Sequence, residues 1–348
     1  MKPSTPITND IKDLTKDQLS AWLESQGMPA YRATQIFKWV YQRQEDDFGN
    51  MTDLGKDTRT QLANRFTIGR LHIKTVETSK DRSRKFLFSL SDGNTVESVL
   101  IPEKDHYTLC ISSQVGCAQG CRFCLTAKGG LKRNLTTGEI IAQVRDIAAT
   151  IETDRRLSNI VFMGMGEPLA NYQHVVSALG ILTDRNAGFG FPGRRITVST
   201  AGVVPRLIDF GRNTRDLGVN LAISLNATDN RTRSMLMPIN RAYPIEMLLA
   251  TCCKYPLKPG RSITIEYVLM AGVNDSVADA TRLADLLRPF RSKINLIPFN
   301  SHDGCDFKRP DDTGIEAFRN VLVRQEYTVM TRNSKGQDIS AACGQLSL

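Results

Sequence analysis

Cys117, Cys121 and Cys124 stand at spacings of four and three within the stretch GCAQGCRFC. Four thiolates would close a structural metal site, whereas three leave one coordination position open to chemistry. Soft thiolates select zinc or iron–sulfur clusters. A structural zinc needs a fourth ligand, for which Cys110 is the nearest candidate. Cys110 falls in a predicted strand, however, and its separation from Cys117 fits no familiar zinc knuckle. The only histidines are His72, His106, His174 and His302, no two of them close in sequence. A histidine-rich zinc site is therefore disfavoured. The remaining cysteines are Cys252 and Cys253 in a helical pattern, Cys305 in a loop and Cys343 near the C-terminus.

Chemistry at an open site needs a frame. From about residue 107 onward, the strand-like runs YTLCISS, NIVFMG, RITVST, VNLAISL, SITIEYVLM and KINLIP alternate with helical segments such as TTGEIIAQVRDIAATI and DATRLADLLRPF. A last run, YTVMTR, precedes the tail. Each parallel crossover needs a helix, so the pattern predicts an α/β fold whose sheet curls into a partial (β/α)6 barrel. In such folds ligands sit at the carboxyl ends of the strands. The polar and glycine-rich stretches fall there: the cysteine loop, GMGEP from Gly164, STAG from Ser199, SLNA from Ser224 and PFN ending at Asn300. Any one of them could be an ordinary strand-end cap or turn. All five on one rim argue for a single site.

Upstream, residues 1–70 read as a small helical module. Thr15 and Gln18 form a capping-box pattern, and Gly27 and Pro29 end the first helix. The segment YRATQIFKWVYQR sets aromatics among Arg32, Lys38 and Arg43. Such a mix fits either a helical core or a nucleic-acid contact surface. A third helix is expected in GKDTRTQLANRF. Residues 71–104 then read as a β-hairpin region, KFLFSLSDGNTVESVLIP, turning at SDGN and carrying Glu97 in its second strand. Residues 105–348 complete the barrel and its tail.

The chain has 348 residues, 41% of them hydrophobic and 23% charged, enough for one large domain and a smaller one. No run of 18 apolar residues occurs, and the opening MKPSTPITND has no apolar signal region. The expectation is a cytoplasmic protein with no membrane association. In a reducing cytosol, clustered cysteines read as metal-binding or catalytic rather than disulfide-bonded. A formal net charge of +9 favours a polyanionic partner, of which nucleic acid is the usual one. The plainer reading of that charge is a merely soluble basic protein.

The cysteine spacing resembles the CxxxCxxC signature of radical S-adenosylmethionine (SAM) enzymes. Further segments narrow the likeness: LCISSQVGCAQGCRFC, RNLTTGEI, MGMGEPLANY, STAGVVP, INLIPFN and DISAACGQL together resemble the RlmN/Cfr family of RNA adenosine methyltransferases over essentially the whole chain. The resemblance implies one [4Fe–4S] cluster held by Cys117, Cys121 and Cys124. It also implies two SAM molecules per turnover, bound through Gly166, Glu167, Ser199, Ser224, Leu225, Asn226 and Asn300. Cys343 holds the position of the cysteine that is methylated first. A deoxyadenosyl radical then takes a hydrogen from its S-methyl group, and the carbon radical adds to adenine. Cys110 holds the position of the thiol that resolves the adduct through a transient disulfide with Cys343. Glu97 holds that of a proposed proton acceptor. From the residues alone, Cys110 reads equally as a buried strand residue, Cys343 as a tail thiol and Glu97 as part of a solvated strand face.

Carbon 2 of adenine is electron-poor and cannot attack a sulfonium, which is why the family needs radical chemistry. The implied substrates are 23S rRNA, at one adenosine of the peptidyl-transferase centre, and tRNA, at the adenosine beside the anticodon. A cytosolic electron donor such as flavodoxin with its reductase, and a monomeric enzyme, complete the expectation. The family's antibiotic-resistance branch methylates carbon 8 instead, with the same cysteines. A more distant alternative is a non-catalytic, metal-containing RNA-binding protein. One departure stands out: many relatives carry SLHA where this chain has SLNA, and Asn226 cannot be protonated as a histidine can.

Overall fold

Apolar residues at helical spacing build three short helices at the start of the chain. The computed structural model describes residues 9–151, 155–303 and 305–347; most of the opening stretch read above, residues 1–8, lies outside them. A two-residue strand β1 (Asn9–Asp10) precedes α1 (Lys16–Ser25), α2 (Arg32–Phe37) and α3 (Lys56–Arg65), and β2 (Phe66–Thr67) pairs in parallel with β1. Both halves of the Thr15–Gln18 capping box are formed, satisfying amide groups that a helix start leaves without partners. Ile36, Phe37, Val40 and Tyr41 are buried, so they belong to the module's core. Trp39 is half-buried and stacks under Arg43, whose guanidinium lies 3.9 Å from the ring centroid.

After the module come β3 (His72–Thr78), β4 (Arg84–Ser89), β5 (Thr95–Pro102) and β6 (His106–Cys110). The hairpin β4–β5 was legible in the sequence. β3 was not, because every residue of HIKTVET is exposed and it has no apolar face to advertise a strand. A small antiparallel ladder, β7 (Gln114–Gly116) with β8 (Leu131–Asn134), brackets the cysteine loop and the one-turn helix α4 (Leu125–Lys128).

The alternation that follows is α5 (Thr137–Ala148), β9 (Arg156–Phe162), α6 (Tyr172–Thr183), β10 (Ile196–Thr200), α7 (Val204–Thr214), β11 (Asn220–Ser224), α8 (Asn230–Leu236), α9 (Ile245–Cys253), β12 (Ile263–Leu269), α10 (Val277–Leu287), β13 (Ser292–Pro298), α11 (Asp312–Arg324) and β14 (Val329–Thr331). One ten-stranded sheet runs in the order β14-β13-β12-β11-β10-β9-β6-β5-β4-β3. Strands β6 and β9 to β14 are parallel; β3, β4 and β5 are antiparallel and extend the sheet past β6. The sheet's two edges, β14 and β3, do not pair with each other among the described residues, so the barrel is partial. The strands alternate as a two-residue period requires. On β12, Ile263, Ile265, Tyr267 and Leu269 are buried on one side, with Tyr267 against Phe318 of α11. Glu266 and Val268 face the other way, into the barrel.

The module docks on α5. Arg145 is fully buried, donating Nε to the Val40 carbonyl (3.1 Å) and a terminal amine to the Glu45 carbonyl (3.0 Å), and it pairs with Asp46 (2.6 Å). Asp13 reaches the backbone of Gly138 at the start of the same helix. Among the described residues no helix is long and apolar enough to cross a membrane.

Candidate functional site

The five strand-end segments meet. Cys117, Cys121 and Cys124 line one cavity at the carboxyl ends of the strands, together with Gly166, Glu167, Ser199, Ser224, Asn226, Asn300 and Cys343. Leu225 is the exception. Its side chain is fully buried in the core and it does not line the cavity; its amide donates to the Glu266 carbonyl (3.0 Å) and its carbonyl accepts from Arg233 Nε (3.0 Å).

The three-cysteine loop leaves β7 at Gly116 and returns to β8. Cys117 N donates to the Gly130 carbonyl (2.9 Å), and Arg122 N donates to the Leu236 carbonyl (2.9 Å). Burial pushes the three thiols up, Cys117 to about 12. Among the described residues no three His, Cys, Asp or Glu side chains are gathered so as to hold a single metal ion. One tetrahedral zinc would draw its sulfurs to within about 4 Å of each other. An iron–sulfur cluster gives each thiolate its own iron. Three thiols of one short loop that line one cavity can each take an iron of such a cluster.

The GMGEP loop packs tightly. Gly166 takes φ +100°, and a Cβ there would lie 2.5 Å from Cβ of Gln114, so only glycine fits. Glu167 N donates to Oε1 of Gln114 (2.8 Å). The Glu167 carboxylate is buried and accepts from Leu169 N (3.0 Å) and Ala201 N (2.7 Å). It thus fastens the loop after β9 to the loop after β10, while burial holds its carboxyl above the usual range. Asn226 takes φ +58°, a left-handed backbone that asparagine tolerates well. Its Oδ1 accepts from Val268 N (2.8 Å), and its amide nitrogen points at the Met237 sulfur (3.2 Å).

The C-terminal tail enters the same cavity. Cys343 lines it, and also lines a narrow hollow shared with Cys110, Met163 and Arg332. Two thiols 233 positions apart in sequence are thereby neighbours in space. Burial pushes the Cys110 thiol up to about 12. Both cysteines are free thiols. Asn300 donates Nδ2 to the Cys343 carbonyl (3.1 Å) and accepts from Gln337 Nε2 (3.2 Å). Glu97 does not lie on a solvated strand face: it is buried, pairs with Lys85 (3.4 Å) and accepts from Ser347 N (2.9 Å). Burial raises its carboxyl above the usual range.

Some residues of the site escaped sequence reasoning. Arg233, fully buried, ties the strand-end loops together through the carbonyls of Ala201 (2.8 Å), Leu225 (3.0 Å) and Ser224 (3.3 Å). Burial lowers its pKa to about 10. Nothing in its local sequence marks it. Glu266 lines the cavity floor, and here a signal existed: a lone carboxylate within the apolar run SITIEYVLM. Cys252, Cys253 and Cys305 do not line the cavity.

Comparison with known proteins agrees with this geometry. The family described as ribosomal RNA large subunit methyltransferase N-terminal domain matches residues 9–68, and the radical SAM superfamily matches residues 111–284. A protein of Desulfosudis oleivorans named dual-specificity RNA methyltransferase RlmN is 56% identical, covering 99% of this chain and 92% of that protein. One of the same name from Geotalea uraniireducens is 53% identical over 97% of this chain and 96% of its own length. A solved radical SAM methyltransferase from Sphaerobacter thermophilus superposes with a TM-score of 0.89 at 44% identity, covering 97% of this chain and 98% of that one.

Proposed function

The chain belongs to the RlmN family of radical SAM RNA methyltransferases, and from that membership we propose that it methylates carbon 2 of adenosine in 23S rRNA and tRNA by way of an S-methyl group on Cys343. The family works with a [4Fe–4S] cluster and SAM, which when bound supply one-electron cleavage of a sulfonium and so a carbon radical. Cys117, Cys121 and Cys124 would hold the cluster, and Gly166, Glu167, Ser199, Ser224, Asn226 and Asn300 would hold SAM.

The Cys343 thiolate attacks the methyl carbon of the first SAM, forming a thioether as the methyl–sulfonium bond breaks and S-adenosylhomocysteine leaves. After loss of one hydrogen atom to the deoxyadenosyl radical, that carbon bonds to carbon 2 of the adenine, and the adduct gives up one electron, for which the cluster would be the acceptor, together with the proton on carbon 2. The Cys110 thiolate then attacks the Cys343 sulfur; the new sulfur–sulfur bond forms as the sulfur–carbon bond breaks, and the released carbon takes up a proton to become the methyl group. Glu97 accepts the proton lost from carbon 2, for which it must give up its hydrogen bond from Ser347. The exposed Lys38 and Arg43 put the helical module, residues 1–70, in the role of an RNA contact. A flavodoxin-type reductant and a monomeric enzyme belong to the same reading.

The observation that carries the proposal is the narrow hollow shared by Cys110 and Cys343 beside the three-cysteine cavity. Relatives bearing the dual-specificity name favour carbon 2 over carbon 8. Mass spectrometry of RNA digested after anaerobic reaction with SAM and reductant tests it. The expected product is 2-methyladenosine, with one added methyl on the Cys343 peptide beforehand. Recovery of 8-methyladenosine, or of protein never methylated at Cys343, overturns the reading.

A further inference from the structure

Register across the barrel floor sets three polar residues side by side. Ser224 of β11 pairs with Glu266 of β12, and Glu266 pairs with Asn295 of β13. Glu266 is 5% exposed, yet its side chain lines the cavity that holds Ser224 and the three cysteines. Its Oε2 accepts from Asn295 Nδ2 (2.7 Å). Among the described residues its other oxygen receives no donor, and no lysine or arginine forms an ion pair with it. A carboxylate taken out of water without such partners is costly. Burial accordingly raises its carboxyl above the usual range, with Arg332 acting in the opposite direction from further off. A carboxylate oxygen aimed into a ligand cavity with a free acceptor face is matched by a ligand that presents hydroxyl donors. The cofactor of the proposed reaction carries such a pair on its ribose, and acidic side chains recognise ribose hydroxyls in other nucleotide sites.

We propose that Glu266 is a binding residue for the ribose hydroxyls of the adenosyl cofactor, in one layer with Ser224 and held in position by Asn295. The inference rests on the SAM-dependent reading above. Asn295 fixes one oxygen and thereby the plane of the carboxylate, leaving the other directed at the cavity.

Calorimetry on the anaerobic holoenzyme tests this, using S-adenosylhomocysteine, its 2′,3′-dideoxy form and SAM. Glu266→Gln removes the charge and half the acceptor capacity while keeping the shape. It is expected to weaken S-adenosylhomocysteine binding about tenfold or more but to leave binding of the dideoxy form unchanged, with iron content as in the wild type. Unchanged S-adenosylhomocysteine affinity overturns the assignment. Weaker binding of SAM alone also overturns it, since the carboxylate would then answer the sulfonium charge. If Glu266→Gln does not fold, Asn295→Ala decides by the same measure: a several-fold loss confined to the ligand with hydroxyls supports the assignment, and an equal loss for both ligands overturns it. A wild-type holoenzyme that binds none of the three would instead sink the underlying SAM reading.

Discussion

Two segments bring cysteine sulfur to the cavity, and they are held by different means. The cysteine loop is bracketed by the β7–β8 ladder and tied through its own backbone, as in Cys117 N to Gly130 and Cys124 N to Cys121 (3.1 Å). The tail from 336 to 347 hangs mostly on single side chains of distant elements. Asp81 accepts from Gly336 N (2.8 Å), and Asp338 accepts from Ser79 Oγ (2.6 Å) and Lys80 N (3.1 Å). Thr126 Oγ1 donates to the Leu346 carbonyl (2.6 Å), Gln345 Nε2 to the Ser301 carbonyl (2.8 Å), and Glu97 accepts from Ser347 N. One backbone bond, Leu125 N to Gly344 O (2.7 Å), joins the two segments. A ladder opens only as a unit. Single hydrogen bonds of about 1 kcal/mol each can be exchanged one at a time. The first arrangement suits sulfurs that stay in place, and the second a sulfur that, on the proposed mechanism, meets a cofactor, a base and a second thiol in turn.

The sharpest way to break this contrast is to delete a sulfur from each side. Cys117→Ala is expected to lose the cluster outright, since two thiolates cannot replace three, and with it all methylation. Cys343→Ala is expected to keep the iron, about four per chain, while forming no methyl thioether. Iron analysis and the visible absorbance of anaerobically purified proteins read both outcomes. Retention of a full complement of iron in Cys117→Ala would refute the role of the loop.

A second difference lies between the thiols themselves. Cys110 is buried in β6, with its pKa pushed up to about 12 from an ordinary 9.0. The thiolate is the reactive form. At neutral pH, Cys110 is therefore expected to react with iodoacetamide at least about tenfold more slowly than the exposed Cys253. The sign follows from the raised value: labelling of Cys110 climbs tenfold per pH unit and does not level off until about 12. Peptide mapping of the labelled protein checks this. Equal labelling of Cys110 and Cys253 at pH 8 would place Cys110 in water and remove its sheltered role.

The same contrast accounts for what the sequence disclosed. The cysteine loop, the strand-end glycines and the capping box at Thr15 are local patterns in which spacing alone implies geometry. The parallel strands were legible because each is an apolar run followed by a helix. The β7–β8 ladder was not, being three and four residues long and largely polar in β8. β3 offered no buried face. The tail's partners, Asp81, Ser79 and Thr126, lie hundreds of positions away from it, and no periodicity records such pairings. For Cys110 and Cys343 the family resemblance implied a meeting that their own surroundings in the sequence do not express. Glu97 was visible as a strand residue, but its burial comes from the tail and from Lys85, which only the fold brings to it.

The smallest expected effect refines the contrast most. Asp338 is the tail's outer hook, and its hydrogen bonds from Ser79 and the Lys80 backbone hold its carboxyl below the usual range. A depressed pKa means that the hook is fully engaged above the ordinary aspartate value of 3.8 and is lost only as pH falls through the folded-state value beneath it. Asp338→Ala is therefore expected to raise hydrogen exchange across 336–347 a few-fold at every pH from 5 to 8. It should leave the cysteine loop's exchange, the iron content and the melting temperature nearly unchanged, since exposed hooks carry little global stability. The wild-type tail should show no loosening over that pH interval beyond the intrinsic rise of exchange. Were Asp338→Ala to loosen the cysteine loop as much as the tail, the two segments would be one cooperative unit, and the tail could not move its sulfur without disturbing the cluster.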